Sequence, residues 1–213
     1  MNALALSLLA VATLTVAGSA GDVPGGLPPC CRKAETAGAH TDRSLYQLDS
    51  KWTSDVGREI QLEVFRGRPQ VVVMFFASCE YACPLLIHDL KRIEETLPAS
   101  VSNRVDFLLV SFDTGRDTPA ALRTFRHRQN LGTAHWSLLT GRSDDVRELA
   151  ALLGVNYRKD ARGQFSHSNL ITVLNAQGEV AFQQAGLNKA PGETVEQIAK
   201  LFAADPPPTK ARP

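Results

Sequence analysis

Two cysteines in the middle of the chain carry the clearest chemical signal. Cys79 and Cys83 stand in the segment FFASCEYACP, directly after an apolar run and directly before a helical pattern. A helix N-terminus stabilises anions, so a thiolate is favoured there over an ordinary thiol with a pKa of about 8.5. The spacing C-x-x-x-C puts the two thiols about one helical turn apart, where they can point the same way. The pair could close a disulfide, bind one metal ion, or be two buried and inert thiols.

The spacing also distinguishes this pair from the C-x-x-C of thioredoxin-type redox sites. Three intervening residues loosen the geometry and leave room for an ion between the sulfur atoms. Two thiolates alone give a linear site; a third ligand would make it trigonal, and imidazole is the natural donor. His167 precedes an apolar strand, where a loop could fold back over the cysteines, so it is either that ligand or a surface histidine. The other four histidines are expected to be solvent-exposed: His40, His88, His127 and His135.

The elements around these residues alternate between strand and helix. Val71 to Phe76 is a fully apolar run, typical of a central strand buried on both faces, and Val105 to Phe112 predicts a second buried strand. Three further strand signals are an early alternation at Ile60, Leu62 and Val64, a short run from Trp136 to Leu139, and a hairpin formed by Leu170 to Leu174 and Glu179 to Gln184.

Helices are predicted between these strands. One has its apolar face at Leu86, Leu90, Ile93 and Leu97; a second starts at Thr118-Pro119, a third follows a cap at Ser143, and the last carries Val195, Ile198, Ala199 and Phe202. The order strand, helix, strand, helix, helix, hairpin, helix predicts an α/β fold. We expect a thioredoxin-like sandwich, with a central mixed sheet flanked by helices.

Length and composition limit the classes of protein to which the chain can belong. The 213 residues are 44% hydrophobic and 21% charged with a net charge of +1, and this near-zero charge excludes general binding to nucleic acid through overall positive charge.

The apolar run in residues 1–20 ends in small residues and predicts a secretory signal peptide, or else an uncleaved N-terminal anchor. Both place the remainder outside the cytoplasm, in the periplasm or an equivalent space. We expect a flexible leader over 21–42, one domain over 43–204 and a disordered tail over 205–213.

Four ordered segments resemble a known family. They are the F-x-x-C-x-x-x-C-P motif after an apolar strand, SFDTGRDTP from Ser111 to Pro119, WSLLTG from Trp136 to Gly141, and FSHS from Phe165 to Ser168. In this order they resemble the Sco/SenC family, the copper-binding assembly factors of cytochrome c oxidase, over about Leu62 to Phe202. The resemblance implies a thioredoxin-like fold and a mononuclear copper site. Its ligands would be Cys79, Cys83 and His167.

The chain departs from the family pattern at two places beside this site. The usual Pro-Asp-hydrophobic insert between the cysteines is Glu80-Tyr81-Ala82 here, and the Asp that precedes the distal histidine is Ser166. Groups next to metal ligands tune affinity and redox potential, so both departures can change these properties.

Two functions follow from the same residues. The resemblance implies a copper chaperone whose partner is the copper-bearing subunit of cytochrome c oxidase or another copper protein; it breaks no substrate bond and is not an enzyme in the usual sense. The alternative is a thiol–disulfide oxidoreductase, which would exchange with cysteines of a partner protein and with a thiol reductant protein. Such enzymes place a cis-proline before the hairpin strand, and no proline occurs between Asp160 and Gly178, which favours the metal. The peroxiredoxin pattern P-x-x-x-T-x-x-C is also absent before Cys79.

Four further residues are left with open roles. Cys30 and Cys31 are adjacent in the leader and could relay copper or electrons, bind a soft metal, or be incidental thiols that oxidise outside the cytoplasm. Asp113 ends the second buried strand and either orients the site or has a structural role. Trp136 is either a core residue or an aromatic side chain that faces a partner.

Overall fold

A computed structural model of the chain describes residues 41–204, except position 162. The predicted signal segment 1–20, most of the leader with Cys30 and Cys31, His40, and the tail 205–213 lie outside the described residues. Within residues 41–204, no helix combines the length and the apolar character needed to cross a bilayer.

Seven strands form one mixed sheet. They are β1 (Trp52–Ser54), β2 (Glu59–Ile60), β3 (Gln70–Phe75), β4 (Asp106–Ser111), β5 (Trp136–Gly141), β8 (Leu170–Leu174) and β9 (Val180–Ala185). Their order across the sheet is β2-β1-β5-β4-β3-β8-β9, with β3, β4 and β5 mutually parallel and the other pairings antiparallel. A separate two-stranded sheet pairs β6 (Tyr157–Lys159) with β7 (Phe165–His167). This mixed sheet confirms the predicted fold class.

The described part of the chain forms five α-helices beside the sheets. They are α1 (Ala82–Thr96), α2 (Ala99–Ser102), α3 (Pro119–Arg128), α4 (Ser143–Leu153) and α5 (Gly192–Ala204). Helix α1 packs against α5, and α3 packs against β5. Thr118 caps α3 as predicted, since its hydroxyl accepts the backbone N–H of Ala121. The predicted cap at Ser143 is wrong: Ser143 is the first residue of α4, and its hydroxyl is hydrogen-bonded to that of Thr114.

The two apolar runs form the centre of the molecule, as predicted. All six residues of β3 are buried, and β3 pairs in parallel with β4 from Gln70 opposite Asp106 to Phe75 opposite Ser111. The N–H of Phe112 continues this pairing to the carbonyl of Phe75 at 2.9 Å. The chain therefore leaves β3 and β4 at the same edge of the sheet, where the candidate cysteines and Asp113 follow.

The early alternation predicted a strand that the structure does not contain. Only Glu59 and Ile60 are extended there, and Leu62–Phe65 is a 3₁₀ helix. Residues three apart share one side of a 3₁₀ helix. Leu62 is accordingly buried and Phe65 packs on the core, whereas Val64 is 61% exposed. The sequence interpretation also missed the hairpins β1–β2 and β6–β7.

Candidate metal centre

The cysteine pair lies where β3 gives way to α1. Cys79 is half-buried in the turn after β3, and its N–H donates to the carbonyl of Phe76 at 3.2 Å. Cys83 is the second residue of α1 and is fully buried, and Pro84 follows in the first turn of the helix as predicted. Both cysteines are free thiols. The sequence motif has therefore placed one accessible sulfur and one inaccessible sulfur at the same helix start.

The two sulfur atoms differ strongly in acidity. The pKa of Cys79 is lowered to about 4, and the largest cause is a hydrogen bond from the Cys83 thiol; backbone N–H groups of Cys83 and Tyr81 and a hydrogen bond with His167 contribute to the same shift. The same hydrogen bond, together with burial, raises the pKa of Cys83. The reduced pair accordingly shares one proton at neutral pH: Cys79 is a thiolate and Cys83 donates its S–H to it.

His167 reaches the cysteines from the β6–β7 hairpin rather than from the loop that the sequence predicted. It is the last residue of β7 and pairs with Tyr157 of β6. Its Nδ1 lies 3.1 Å from the carbonyl oxygen of Ser168. A carbonyl oxygen only accepts, so in the neutral tautomer that makes this hydrogen bond Nδ1 carries the hydrogen and Nε2 has the lone pair that a metal ion would use. Contacts with the rings of Phe76 and Phe112 fix the imidazole plane.

The structure brings the three predicted site residues together. One sulfur each from Cys79 and Cys83 and one ring nitrogen of His167 all lie within 4.8 Å of one another. Two sulfur donors and one imidazole are a soft donor set that suits copper or zinc and does not suit calcium or magnesium. The donor set therefore fits the ion that the motif resemblance implies.

The other described histidines stand apart from this cluster. His88 on α1 and His127 on α3 are exposed, as predicted. The prediction for His135 is wrong, because this residue is half-buried and its Nδ1 lies 3.0 Å from a carboxylate oxygen of Asp106. Asp106 is the first residue of β4, and the sequence pattern did not indicate that it lies beside His135.

Asp113 has a structural contact that also bears on the site. Its carboxylate is buried, forms an ion pair with Arg116, and lies 3.5 Å from the ammonium of Lys159 on β6. The guanidinium of Arg116 also donates to the carbonyl of Gly163 at 2.7 Å. The loop after β4 thus ties down the hairpin that carries His167. Sequence reasoning missed Arg116 and Lys159, since only the fold brings the hairpin to this loop.

A second carboxylate of the same loop supports the cysteine side. Asp117 is buried, and its Oδ2 accepts the backbone N–H of Ala77 at 2.8 Å and the hydroxyl of Ser111 at 2.5 Å. Burial is the largest cause that raises the pKa of this carboxyl group. Asp117 was not predicted as a functional residue, although a carboxylate directly ahead of a helix cap was a usable signal.

Trp136, in contrast, belongs to the core. It is buried, its ring stacks on Phe107 with the ring centroids 4.5 Å apart, and its indole N–H donates to Glu94 at 2.8 Å. The structure therefore decides between the two roles that the sequence left open for Trp136.

Comparisons with known proteins agree with this fold. The SCO1/SenC family model matches residues 39–203. A SCO1 protein homologue from Bacillus subtilis is 23% identical over 144 residues, which are 65% of this chain and 73% of the relative. Bradyrhizobium japonicum ScoI, solved with copper bound, superposes with a TM-score of 0.61 at 18% identity, over 71% of this chain and 96% of that one.

A further solved structure is BsSco, described as a member of the Sco family of cytochrome c oxidase assembly proteins with a disulfide switch. Its TM-score is 0.64 at 20% identity, over 76% of this chain and 96% of BsSco. At these identities the structural likeness shows the fold, and it confirms the predicted thioredoxin-like architecture.

Proposed function

The chain belongs to the SCO1/SenC family, and from this membership we propose that it is a copper chaperone that works outside the cytoplasm. It binds one copper ion through Cys79, Cys83 and His167 and passes it to a copper protein. The observation that carries the proposal is the convergence of two sulfur atoms and one ring nitrogen within 4.8 Å. Related proteins described as copper-bound or as oxidase assembly factors support the choice of ion and of partner.

The three residues have different tasks in holding copper as cargo. Cys79 is ionised and partly accessible, so it offers the first soft ligand to an incoming ion. Cys83 is buried and protonated, so it must lose its proton before it can bind. His167 offers a ring nitrogen from the β6–β7 hairpin, which belongs to a different sheet from β3.

An open side is needed if copper is to leave for a partner by ligand exchange. Ser78, Glu80 and Tyr81 are exposed around Cys79, with Tyr81 at 83% exposure. A partner can therefore approach the Cys79 sulfur directly. We place the receiving centre in the copper-bearing subunit of cytochrome c oxidase or in another copper protein.

A thiol–disulfide oxidoreductase is the second candidate, favoured by the low pKa of Cys79 beside a protonated Cys83. The Cys79 thiolate would attack a disulfide of a partner, form a mixed disulfide and release one partner thiolate. Cys83, after giving up its proton, would then attack the Cys79 sulfur and release the second thiol. Two electrons pass to the partner, and a Cys79–Cys83 disulfide remains.

One experiment separates the two functions. The reduced protein is titrated with Cu(I) and with Cu(II), and the same sample is assayed for reduction of a protein disulfide. A chaperone binds one equivalent of copper tightly and shows no turnover in the disulfide assay. Turnover of the disulfide without stoichiometric copper binding would replace the chaperone by the oxidoreductase.

A further inference from the structure

The backbone of Ala77, two residues before Cys79, is held from both sides by side chains at the two ends of α3. Its N–H donates to Oδ2 of Asp117 at 2.8 Å. Its carbonyl accepts from the guanidinium of Arg128 at 2.5 Å. Asp117 immediately precedes the cap of α3, and Arg128 is the last residue of that helix. No strand neighbour supplies these bonds, because Ala77 lies beyond the end of β3.

Both side chains are themselves held in place. The carboxylate of Asp117 is 2% exposed and accepts the hydroxyl of Ser111 as well as the Ala77 N–H. The guanidinium of Arg128 lies over the ring of Phe125, with its central carbon 5.4 Å from the ring centroid. Ala77 is itself buried, and a buried backbone group left without a partner costs about 1–3 kcal/mol. The two hydrogen bonds are therefore a fixed part of the fold.

The Ala77 peptide controls where the Cys79 sulfur points. Cys79 donates its N–H to the carbonyl of Phe76, so Phe76–Cys79 is a four-residue turn and Ala77 is its second residue. Fixing the N–H and the carbonyl of Ala77 fixes the φ and ψ torsions of this residue, and the hydrogen bond from Cys79 to Phe76 closes the turn around it. The Cα–Cβ direction of Cys79 follows from those torsions. Arg128 also lines the same open cavity as Cys79, Glu80 and Pro84.

We propose that Asp117 and Arg128 are positioning residues for Cys79, which hold its sulfur at the spacing that a metal ion needs and keep it from closing on Cys83. A disulfide requires the two sulfur atoms to come within about 2.05 Å of each other, which the turn can allow only by moving. Residues at the two ends of α3 thus position Cys79, although α3 itself supplies none of the three candidate ligands. The metal-binding part of this inference rests on the proposed function. The part that concerns the position of the Cys79 sulfur does not.

The test uses two variants that each remove one hydrogen bond. Asp117→Ala removes the acceptor of the Ala77 N–H, and Arg128→Gln removes the donor to its carbonyl. Asp117→Asn is the conservative variant, because an amide oxygen can still accept from Ala77 and Ser111. Arg128 is exposed, so Arg128→Gln folds even if Asp117→Ala does not.

Two matched controls change the same residue types elsewhere. Arg123→Gln lies on the same helix and also loses a bond to a backbone carbonyl, that of Asp55 at 2.8 Å. Asp145→Asn changes another buried carboxylate close to a helix start, which is paired with Arg142.

Copper binding is the first readout. We expect Asp117→Ala and Arg128→Gln to weaken Cu(II) binding about 10-fold and to change the thiolate-to-Cu(II) absorption band. Asp117→Asn and both controls should keep the wild-type affinity and band. If Arg128→Gln keeps the wild-type band and affinity, or if Asp117→Asn behaves like Asp117→Ala, the proposal is overturned.

The second readout needs no copper and therefore separates this proposal from the proposed function. The Cys79–Cys83 pair is equilibrated with glutathione buffers, and we expect both loss variants to favour the disulfide about 10-fold, which is a potential about 30 mV more negative. If the wild-type protein binds no copper but this shift is found, the chaperone function fails and the positioning role stands. If copper binds but both variants keep the wild-type potential, the positioning role fails alone.

Discussion

The backbone N–H of Cys83 points at the sulfur of Cys79 from 3.4 Å away. The sulfur thus accepts a hydrogen bond from an N–H in the first turn of α1 that has no partner within the helix, as the oxygen of a capping side chain would. The residue directly before α1, Tyr81, makes no side-chain cap of its own. Cys79 is therefore at once the accessible ligand of the candidate site and the anion that satisfies a helix start. This N–H lowers the pKa of Cys79 in addition to the hydrogen bond from the Cys83 thiol, which is the largest cause of the shift.

The first prediction concerns the pH dependence of this thiolate. The pKa of Cys79 is lowered to about 4, so the rate at which iodoacetamide alkylates Cys79 should stay constant from pH 9 down to about pH 5. It should fall only as the pH drops through about 4, where the thiolate is protonated. Mass spectrometry of the alkylated protein assigns the modified cysteine. In the Cys83→Ala variant the pH dependence of the rate should give a higher pKa for Cys79, because the hydrogen bond that lowers this pKa most is gone. An alkylation rate of the wild-type protein that falls between pH 9 and pH 8 would contradict the assignment.

The second prediction concerns His167. His167→Ala should leave some Cu(I) binding through the two thiolates, because Cu(I) prefers sulfur, but should weaken Cu(II) by at least ~10–100-fold. Cys79→Ser and Cys83→Ser should abolish binding of both ions, because a hydroxyl is a poor ligand for a soft metal. Titration of each variant with Cu(I) and Cu(II) provides the measurement. His88→Ala is the control, since His88 is exposed on α1. If His167→Ala binds Cu(II) as tightly as wild type, His167 is not a ligand.

The third prediction concerns the tie between the hairpin and the loop after β4. Replacing both Arg116 and Lys159 with Gln removes the cations that face Asp113, and with them a bond to Gly163. We expect Cu(II) affinity to fall by a smaller factor than in His167→Ala, and Cu(I) affinity to be kept. Asp113 is buried, so the double variant leaves its carboxylate without a cation, and the free energy of unfolding should fall by more than the ~1 kcal/mol typical of an exposed pair.

Arg147→Gln is the control for this double variant, because it breaks the exposed pair with Asp144 on α4. A parallel loss of Cu(I) and Cu(II) affinity in the double variant would mean that the tie does not act through His167.

The fourth prediction concerns the adjacent cysteines of the leader. Replacing Cys30 and Cys31 with Ser should leave thermal unfolding and one-to-one copper binding unchanged, because the three candidate ligands all lie in the domain. Transfer of copper to a partner protein can still slow down. Copper stoichiometry, measured by metal analysis after gel filtration, is the readout, and a stoichiometry below one in this variant would place a ligand in the leader.

The fifth prediction concerns export. Fusing residues 1–42 to a reporter that is active only outside the cytoplasm should give active reporter, because an apolar run followed by small residues directs secretion. Deleting residues 3–16 removes the apolar run and should abolish reporter activity. An equally active deletion variant would show that this segment is not the export signal.

The strongest periodic signals predicted the centre of the fold. Strands β3, β4 and β8 and helix α1 stand where their hydrophobic patterns put them, because each buries its pattern in the core. Strand β9 is mostly exposed, and the turn signal Asn175-Ala176-Gln177-Gly178 predicted it instead. Strands β6 and β7 gave no such pattern. They have three residues each and are only partly buried, and pairing with each other rather than burial makes them strands.

The sequence likewise predicted some parts of the candidate site and not others. The local motif predicted Cys79 and Cys83 at a helix start, and the motif resemblance added His167. Contacts between distant segments were not accessible, such as Asp117 to Ala77 or Lys159 to Asp113. The Asp117 contact depends on the parallel pairing of β3 with β4, which brings the loops that follow them to one edge. The Lys159 contact depends on how the β6–β7 hairpin packs beside the loop after β4.

The separation of the two sheets has a consequence for hydrogen exchange. In the described residues β6 and β7 pair only with each other, whereas β3 is flanked on both sides within the large sheet. The hairpin with His167 can therefore open without breaking any ladder bond of the seven-stranded sheet, at a free energy below that of global unfolding. Its backbone amides should exchange with deuterium sooner than those of β3, and the imidazole should leave the sulfur atoms far more often than the sulfur atoms leave each other.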